Sequence, residues 1–133
     1  MSKDSTARTM HDRIRFINHQ GKQILFVDFS NCPASEVEKI ARATPDYIIV
    51  HPRGSVLVLS DFTGAAFDRD ALRTIKESAV FDKPFVKKSA LMGTENFPRE
   101  FYEELKSFSR RELRVFKTRE EALVWLVEDS AGA

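Results

Sequence analysis

The sequence has one cysteine, no long hydrophobic run and almost no net charge, and each of these scarcities excludes a class of protein. Among 133 residues only Cys32 is a cysteine, so an intramolecular disulfide and a multi-cysteine metal site are both excluded. No stretch approaches the roughly 18 consecutive apolar residues of a membrane-spanning helix. Basic and acidic residues number 21 and 20, whereas nucleic-acid-binding domains normally carry a basic excess. We therefore expect a protein of the reducing cytoplasm that has no membrane span and binds no nucleic acid.

Histidine and glycine are too few and too scattered to build familiar catalytic sites. His11, His19 and His51 do not have the spacing that zinc ligands adopt. The five glycines form no phosphate-binding loop, and no nucleophile can be paired with a base. We therefore expect no metal, no cofactor and no enzymatic activity.

Apolar residues are abundant by contrast, and they are strongly patterned. They make up 42% of the sequence and include 11 phenylalanines, which predicts an aromatic-rich core. Apolar runs of strand length alternate with segments whose apolar residues recur every three or four positions, as in helices. Strands are predicted to begin near Ile14, Ile24, Val56, Phe85 and Leu113, and helices near Pro33, Asp68, Pro98 and Thr118.

This order, β-β-α-β-α-β-α-β-α, predicts a single α/β domain. An N-terminal β-hairpin leads into strand–helix units, whose right-handed crossovers give a mixed, mostly parallel sheet of about five strands with four helices. We place the domain at residues 13–129, between a flexible tail at 1–12 and a short C-terminal tail at 130–133. Thr44-Pro45 is expected to interrupt the first helix. Tyr47–Val50 fits either a strand or a short helical continuation, and we favour the helix.

Three segments carry a family resemblance. They read GKQILFVDFS at 21–30, SDFTG at 60–64 and KTREEALVWL at 117–126. KPFVK at 83–87 and RRELRVF at 110–116 agree with them. Together with the order of strands and helices, these segments make residues 14–128 resemble the STAS superfamily, and within it the SpoIIAA-like (STAS/SEC14) group.

The resemblance implies a regulatory or binding domain without catalytic activity. STAS domains act as anti-sigma-factor antagonists, as cytosolic tails of anion transporters or as ligand-sensing modules. In the antagonists, a partner kinase phosphorylates a serine in an Asp-Ser-Ser-Gly loop that opens a helix. The matching loop here is Asp61-Phe62-Thr63-Gly64, so Phe62 occupies the usual phosphoacceptor position and Thr63 is the nearest candidate phosphoacceptor.

The candidate site combines this loop with neighbouring strand ends. Ligands of open α/β sheets gather at the carboxyl ends of the strands, where residues following adjacent strands meet. Lys83 and Lys88, near Pro84, are candidate contacts for an anion. Strand alternation predicts that Lys88 lies on the same face of the sheet as Val86 and Ala90. The candidate binding or regulatory residues are Asp28, Ser30, Ser60, Asp61, Phe62, Thr63, Gly64 and Phe67, with Lys83 and Lys88 as the anion contacts.

Two functions remain open from the sequence. The first is a regulatory module that binds a partner protein through Asp61–Gly64 and the following helix, and an exposed Phe62 would favour it. The second is a module that holds a small hydrophobic or anionic ligand, or a lipid, in the crevice at the strand carboxyl ends. A structural interpretation competes with both, because Asp61 and Thr63 can bond their own loop while Asp28 caps a helix. A homodimer is compatible with either function.

Overall fold

The computed structural model of the protein describes residues 10–109 and 112–128. The strands are β1 (Ile14–His19), β2 (Lys22–Asp28), β3 (Val56–Asp61), β4 (Val86–Met92) and β5 (Glu112–Phe116). The helices are α1 (Met10–Arg13), α2 (Ala34–Ile48), α3 (Arg69–Asp82), α4 (Arg99–Ser109) and α5 (Arg119–Val127). The C-terminal tail predicted at 130–133 and most of the N-terminal tail predicted at 1–12 lie outside the described residues.

The sheet confirms the predicted α/β architecture. Its strand order is β1-β2-β3-β4-β5, with an antiparallel β1–β2 hairpin and parallel pairing elsewhere. The hairpin turns at Gln20-Gly21, and both residues have positive φ, as a two-residue type I′ turn requires. The element order matches the prediction apart from α1, a single helical turn immediately before β1, and two 3₁₀ turns, one on each side of β4.

Helices cover the two faces of the sheet unequally. Successive parallel strands are neighbours, so every crossover advances in the same direction, and right-handed crossovers place the connecting helices on one face. On that side α2, α3 and α4 contribute Val37, Ile75 and Leu105 to one apolar cluster. On the other side α5 contributes Trp125 and Leu126 to a second cluster. We call these sides the three-helix face and the α5 face.

A β-bulge in β4 decides which face its lysines occupy. Two successive residues of β3 pair with Val86 and Lys88, so Lys87 is an extra residue in β4. Val86 therefore packs on the three-helix face, whereas Lys88 shares the α5 face with Ala90. The expectation that Val86 and Lys88 share a face is wrong, because simple alternation takes no account of the bulge.

Contrary to expectation, α2 continues through Pro45 without interruption. Proline inside a helix leaves the carbonyl four residues earlier without its amide donor. That carbonyl belongs to Ala41, and Ser78 Oγ of α3 donates to it at 2.6 Å. The helix thus reaches Ile48, so the helical interpretation is confirmed for the first half of Tyr47–Val50.

Ser78→Ala should lower the free energy of unfolding by about 1 kcal/mol, because the Ala41 carbonyl loses its donor. The same substitution should cost clearly less in a Pro45→Ala background, where the amide of residue 45 can bond to Ala41. Urea denaturation of the four proteins in this double-mutant cycle measures the coupling. An equal cost in both backgrounds would show that the hydroxyl does not compensate for the proline.

Candidate functional site

The ends of β2 and β3 carry one short motif, Asp-Phe-Ser or Asp-Phe-Thr, in the same hydrogen-bonding arrangement. Asp28 Oδ1 accepts from Ser30 N at 2.9 Å and from Ser30 Oγ at 2.6 Å. Asp61 Oδ1 accepts from Thr63 N at 2.9 Å and from Thr63 Oγ1 at 2.6 Å. Each carboxylate thus closes its own Asx turn. Asp28 does not cap α2, since Pro33 occupies the N-cap position without a side-chain cap.

The two turns lie side by side and are joined by a backbone hydrogen bond and a pair of stacked rings. Asn31 N donates to Thr63 O at 2.8 Å, which extends the pairing of the two strands into the loops. Between the turns, the rings of Phe29 and Phe62 stack with centroids 4.4 Å apart and planes 9° from parallel. Asn31 and Gly64, which follow the turns, have φ of 57° and 71°. The loop after β3 is therefore built as a repeat of the loop after β2.

Phe62 belongs to the core and is 3% exposed. Besides the stack on Phe29, its ring centroid lies 5.8 Å from that of Phe67 and 4.8 Å from that of Phe97. Phe67 is half-buried. The exposed Phe62 that would favour a partner protein is thus not found, and the side chain anchors the loop from inside.

Thr63 and Gly64 form the exposed crest of the loop. Gly93, just after β4, packs closely against Thr63. With φ of 69° at Gly93, a Cβ added there would lie 2.3 Å from both the backbone N and Oγ1 of Thr63. Any larger residue at position 93 would have to displace the crest, so glycine is needed there for close approach as well as for its backbone conformation.

Strand alternation separates the candidate residues between the two faces of the sheet. Ser60 lies with Phe62 on the three-helix face, whereas Asp61 has the opposite orientation. Asp28 matches Asp61 in register, and its Oδ1 lies 3.6 Å from Arg13 Nη1. Asp28, Ser30, Asp61, Thr63 and Gly64 therefore meet at one edge, while Ser60 and Phe62 face the other side.

The two candidate anion contacts are held apart, and Lys88 is engaged with the end of α5. Lys88 is 3% exposed. Its Nζ donates to the carbonyls of Trp125 and Glu128, each at 2.8 Å, and lies 5.0 Å from the centroid of the Trp125 ring. These contacts place the cation at the C-terminal end of α5, where positive charge is favourable. Lys83 lies in a 3₁₀ turn before β4, on the side of the three-helix face.

A cavity on the three-helix face is the feature that sequence reasoning missed. It has a volume of about 110 Å³ and lies among α2, α3, α4 and the sheet. Helix positions that only tertiary packing brings together make up nearly half of its wall. The available signal was a serine among the apolar residues that each of β3 and β4 directs towards the helices. The polar residues of the mainly apolar lining are Thr44, Ser60, Ser78, Asp82, Lys83 and Ser89.

Other kinds of site find no counterpart in the described part of the chain. Residues 10–109 and 112–128 contain no group of three or more His, Cys, Asp or Glu side chains that could hold a metal ion. Within the same residues, no helix is both long enough and apolar enough to cross a membrane. Cys32 is buried, 3% exposed.

The antiparallel hairpin, the sequential parallel strands and the lone helix on the second face define a SpoIIAA-like α/β fold. A similar solved structure is the crystal structure of an uncharacterised DUF3478-family protein with a SpoIIAA-like fold, from Shewanella loihica PV-4. The match has a TM-score of 0.67 and 16% identity, and covers 85% of this chain and 91% of that one. It confirms the predicted resemblance at the level of the fold. No protein-family model matches the sequence, and neither does any curated protein.

Lys88→Met should lower the free energy of unfolding by about 2 kcal/mol, because two carbonyls at the end of α5 lose a charged donor. Lys87→Met, at the exposed bulge residue immediately before it, is the matched control and should change stability by less than about 0.5 kcal/mol. Urea denaturation measures both. A small and equal effect of the two substitutions would contradict the capping role and leave Lys88 available as an anion contact.

Proposed function

We propose that the protein is a non-enzymatic regulatory or binding module of the cytoplasm, which engages a partner protein through the Asp61–Gly64 loop and α3. The observation that carries the proposal is the crest at Thr63-Gly64, which is exposed to solvent and is held in position by the neighbouring Phe62 and Gly93. Phe62 anchors the crest in the core, and Gly93 limits its displacement. Proteins commonly place recognition groups on loops that a rigid scaffold positions.

The start of α3 continues this surface. Asp68 Oδ1 accepts a hydrogen bond from Ala71 N at 2.8 Å, so the first turn of the helix has a defined geometry. Ala66 and Asp68, which link the crest to the helix, are exposed. A partner would therefore meet a preorganised loop and helix start, and binding would cost little conformational entropy.

Thr63 is the residue of the loop that fits a regulatory role. Its hydroxyl lies on an exposed residue, whereas the usual phosphoacceptor position holds the buried Phe62. A phosphoryl group on Thr63 adds nearly two negative charges. The Thr63 hydroxyl would then no longer donate to Asp61 Oδ1, and the two anions would repel each other. Phosphorylation would thus open the Asx turn and alter the surface that the partner meets.

Ligand binding is the second candidate function, and the cavity on the three-helix face favours it. The crevice at the strand carboxyl ends has less support, because the carboxylates of Asp28 and Asp61 are engaged in their own turns. A mainly apolar cavity with a few polar groups has the usual character of a small-molecule site. Its volume of about 110 Å³ is too small to enclose a whole lipid.

A photo-reactive phenylalanine analogue at Ala66, beside the crest, should cross-link one discrete partner protein in the native host. The same analogue at Val124, which is 57% exposed on α5, is the matched control and should give no such adduct. Thr63→Asp should reduce the yield at Ala66, since it places a carboxylate against Asp61. Mass spectrometry of the adducts measures all three.

Three outcomes decide the assignment of this surface. Equal cross-linking from the two positions, or no adduct from Ala66, would contradict partner binding by the loop. An adduct between two copies of the chain would make the homodimer the relevant complex. A single partner that is lost in Thr63→Asp would support the proposal.

A further inference from the structure

Two serines interrupt the apolar surface that β3 and β4 present to the helices of the three-helix face. In the sheet, Ser89 pairs with Val58 and Ser60 pairs with Leu91, so the two serines are diagonal neighbours on adjacent strands. Both line the cavity. Ser60 is 9% exposed and Ser89 is half-buried. A pair of hydroxyls is thus placed in the wall of a mainly apolar space.

Within residues 10–109 and 112–128, neither of these hydroxyls has a hydrogen-bond partner. The other hydroxyls of the cavity differ in this respect, since Ser78 donates to the Ala41 carbonyl at 2.6 Å and Thr44 to the Ile40 carbonyl at 2.8 Å. Among the described residues, the fully buried side-chain polar atoms without a partner do not include either serine oxygen, so both hydroxyls are open to a molecule that enters the cavity. Since the space is mainly apolar, such a molecule is the available hydrogen-bond partner for each hydroxyl.

We propose that the cavity binds a compact, mainly apolar molecule through one hydroxyl or carbonyl group, which hydrogen-bonds to Ser60 and Ser89. This inference rests on the ligand-binding candidate of the proposed function and names its ligand class. A serine hydroxyl both donates and accepts, so the pair suits an alcohol, a phenol or a ketone. The volume of about 110 Å³ is of the same order as an engineered cavity of about 150 Å³ that holds benzene. The buried part of the ligand is therefore about the size of one six-membered ring.

Phenol and benzene form the matched pair of probes, because they differ by the hydroxyl group alone. Titration of each, followed through the NMR shifts of the methyl groups of Ile75 and Leu91 in the cavity wall, measures binding. The wild-type protein should bind both probes saturably. Ser60→Ala/Ser89→Ala should weaken phenol binding about five- to tenfold, the contribution of a neutral hydrogen bond, and leave benzene binding unchanged. Ser55→Ala, at an exposed serine just before β3, should change neither affinity.

The outcomes separate failure of the inference from failure of the ligand-binding candidate. If benzene binds and the phenol affinity does not depend on the serines, the cavity is a ligand site but the role of Ser60 and Ser89 is wrong. If neither probe moves the methyl signals, both the role of the serines and ligand binding by the cavity are wrong. Should the double variant be unstable, the single variants Ser60→Ala and Ser89→Ala replace it, each expected to weaken phenol binding by a smaller factor.

Discussion

Right-handed crossovers between strands that follow one another across the sheet leave one face of this fold with a single helix to cover it. The crossover helices α2, α3 and α4 all lie on the three-helix face. Parallel strands are normally buried on both faces, and the α5 face carries Ile24, Leu59 and Ala90, each fully buried. The parallel sheet is therefore stable only while α5, a helix of nine residues, remains in place.

Two lysines of the sheet explain how so short a helix stays in place. Lys88 of β4 donates to the carbonyls of Trp125 and Glu128, and Lys22 of β2 donates to that of Val127 at 3.2 Å. The last carbonyls of a helix have no partner within it, and cations are favourable at that end. The buried ammonium of Lys88 gains two acceptors and an aromatic face in exchange for water. The position in β4 thus needs a long cationic side chain for a structural reason.

Local chemistry explains why most of the fold could be predicted from the sequence. Asp68 and Thr118 cap α3 and α5 as their residue types suggest, and the apolar runs mark every strand. The predictions that were wrong concern features that local sequence does not determine. One depends on a residue distant in sequence and the other on one extra residue in a strand. Pro45 is tolerated since Ser78 of another helix reaches the freed carbonyl. Lys88 changes face because the bulge at Lys87 shifts the alternation.

The position of the loops after β2 and β3 was predictable from the sequence, but their construction was not. The topology alone places the loops after β2 and β3 at one edge of the sheet. Their shared Asp-Phe-Ser and Asp-Phe-Thr pattern is visible in the sequence, and it accounts for both Asx turns. The burial of Phe62 is not visible there, because it depends on the ring of Phe29 from the neighbouring strand. The cavity is less visible still, since its walls come from four strands and three helices that meet only in the folded chain.

Phe62 physically joins the two candidate sites. Its ring lines the cavity, while its backbone lies between Asp61 and Thr63 at the base of the crest. A ligand that displaces the ring must also shift the stack on Phe29 or the crest above it, because packed interiors have little free space to absorb the movement. Such a ligand would change the affinity of a partner for the crest, and the partner would change ligand affinity by the same factor. A ligand that leaves the ring in place would have no such effect, since coupling requires a difference in interaction between two states. Whether a bound ligand moves the Phe62 ring would thus decide whether ligand binding in the cavity and partner binding at the loop are coupled or independent.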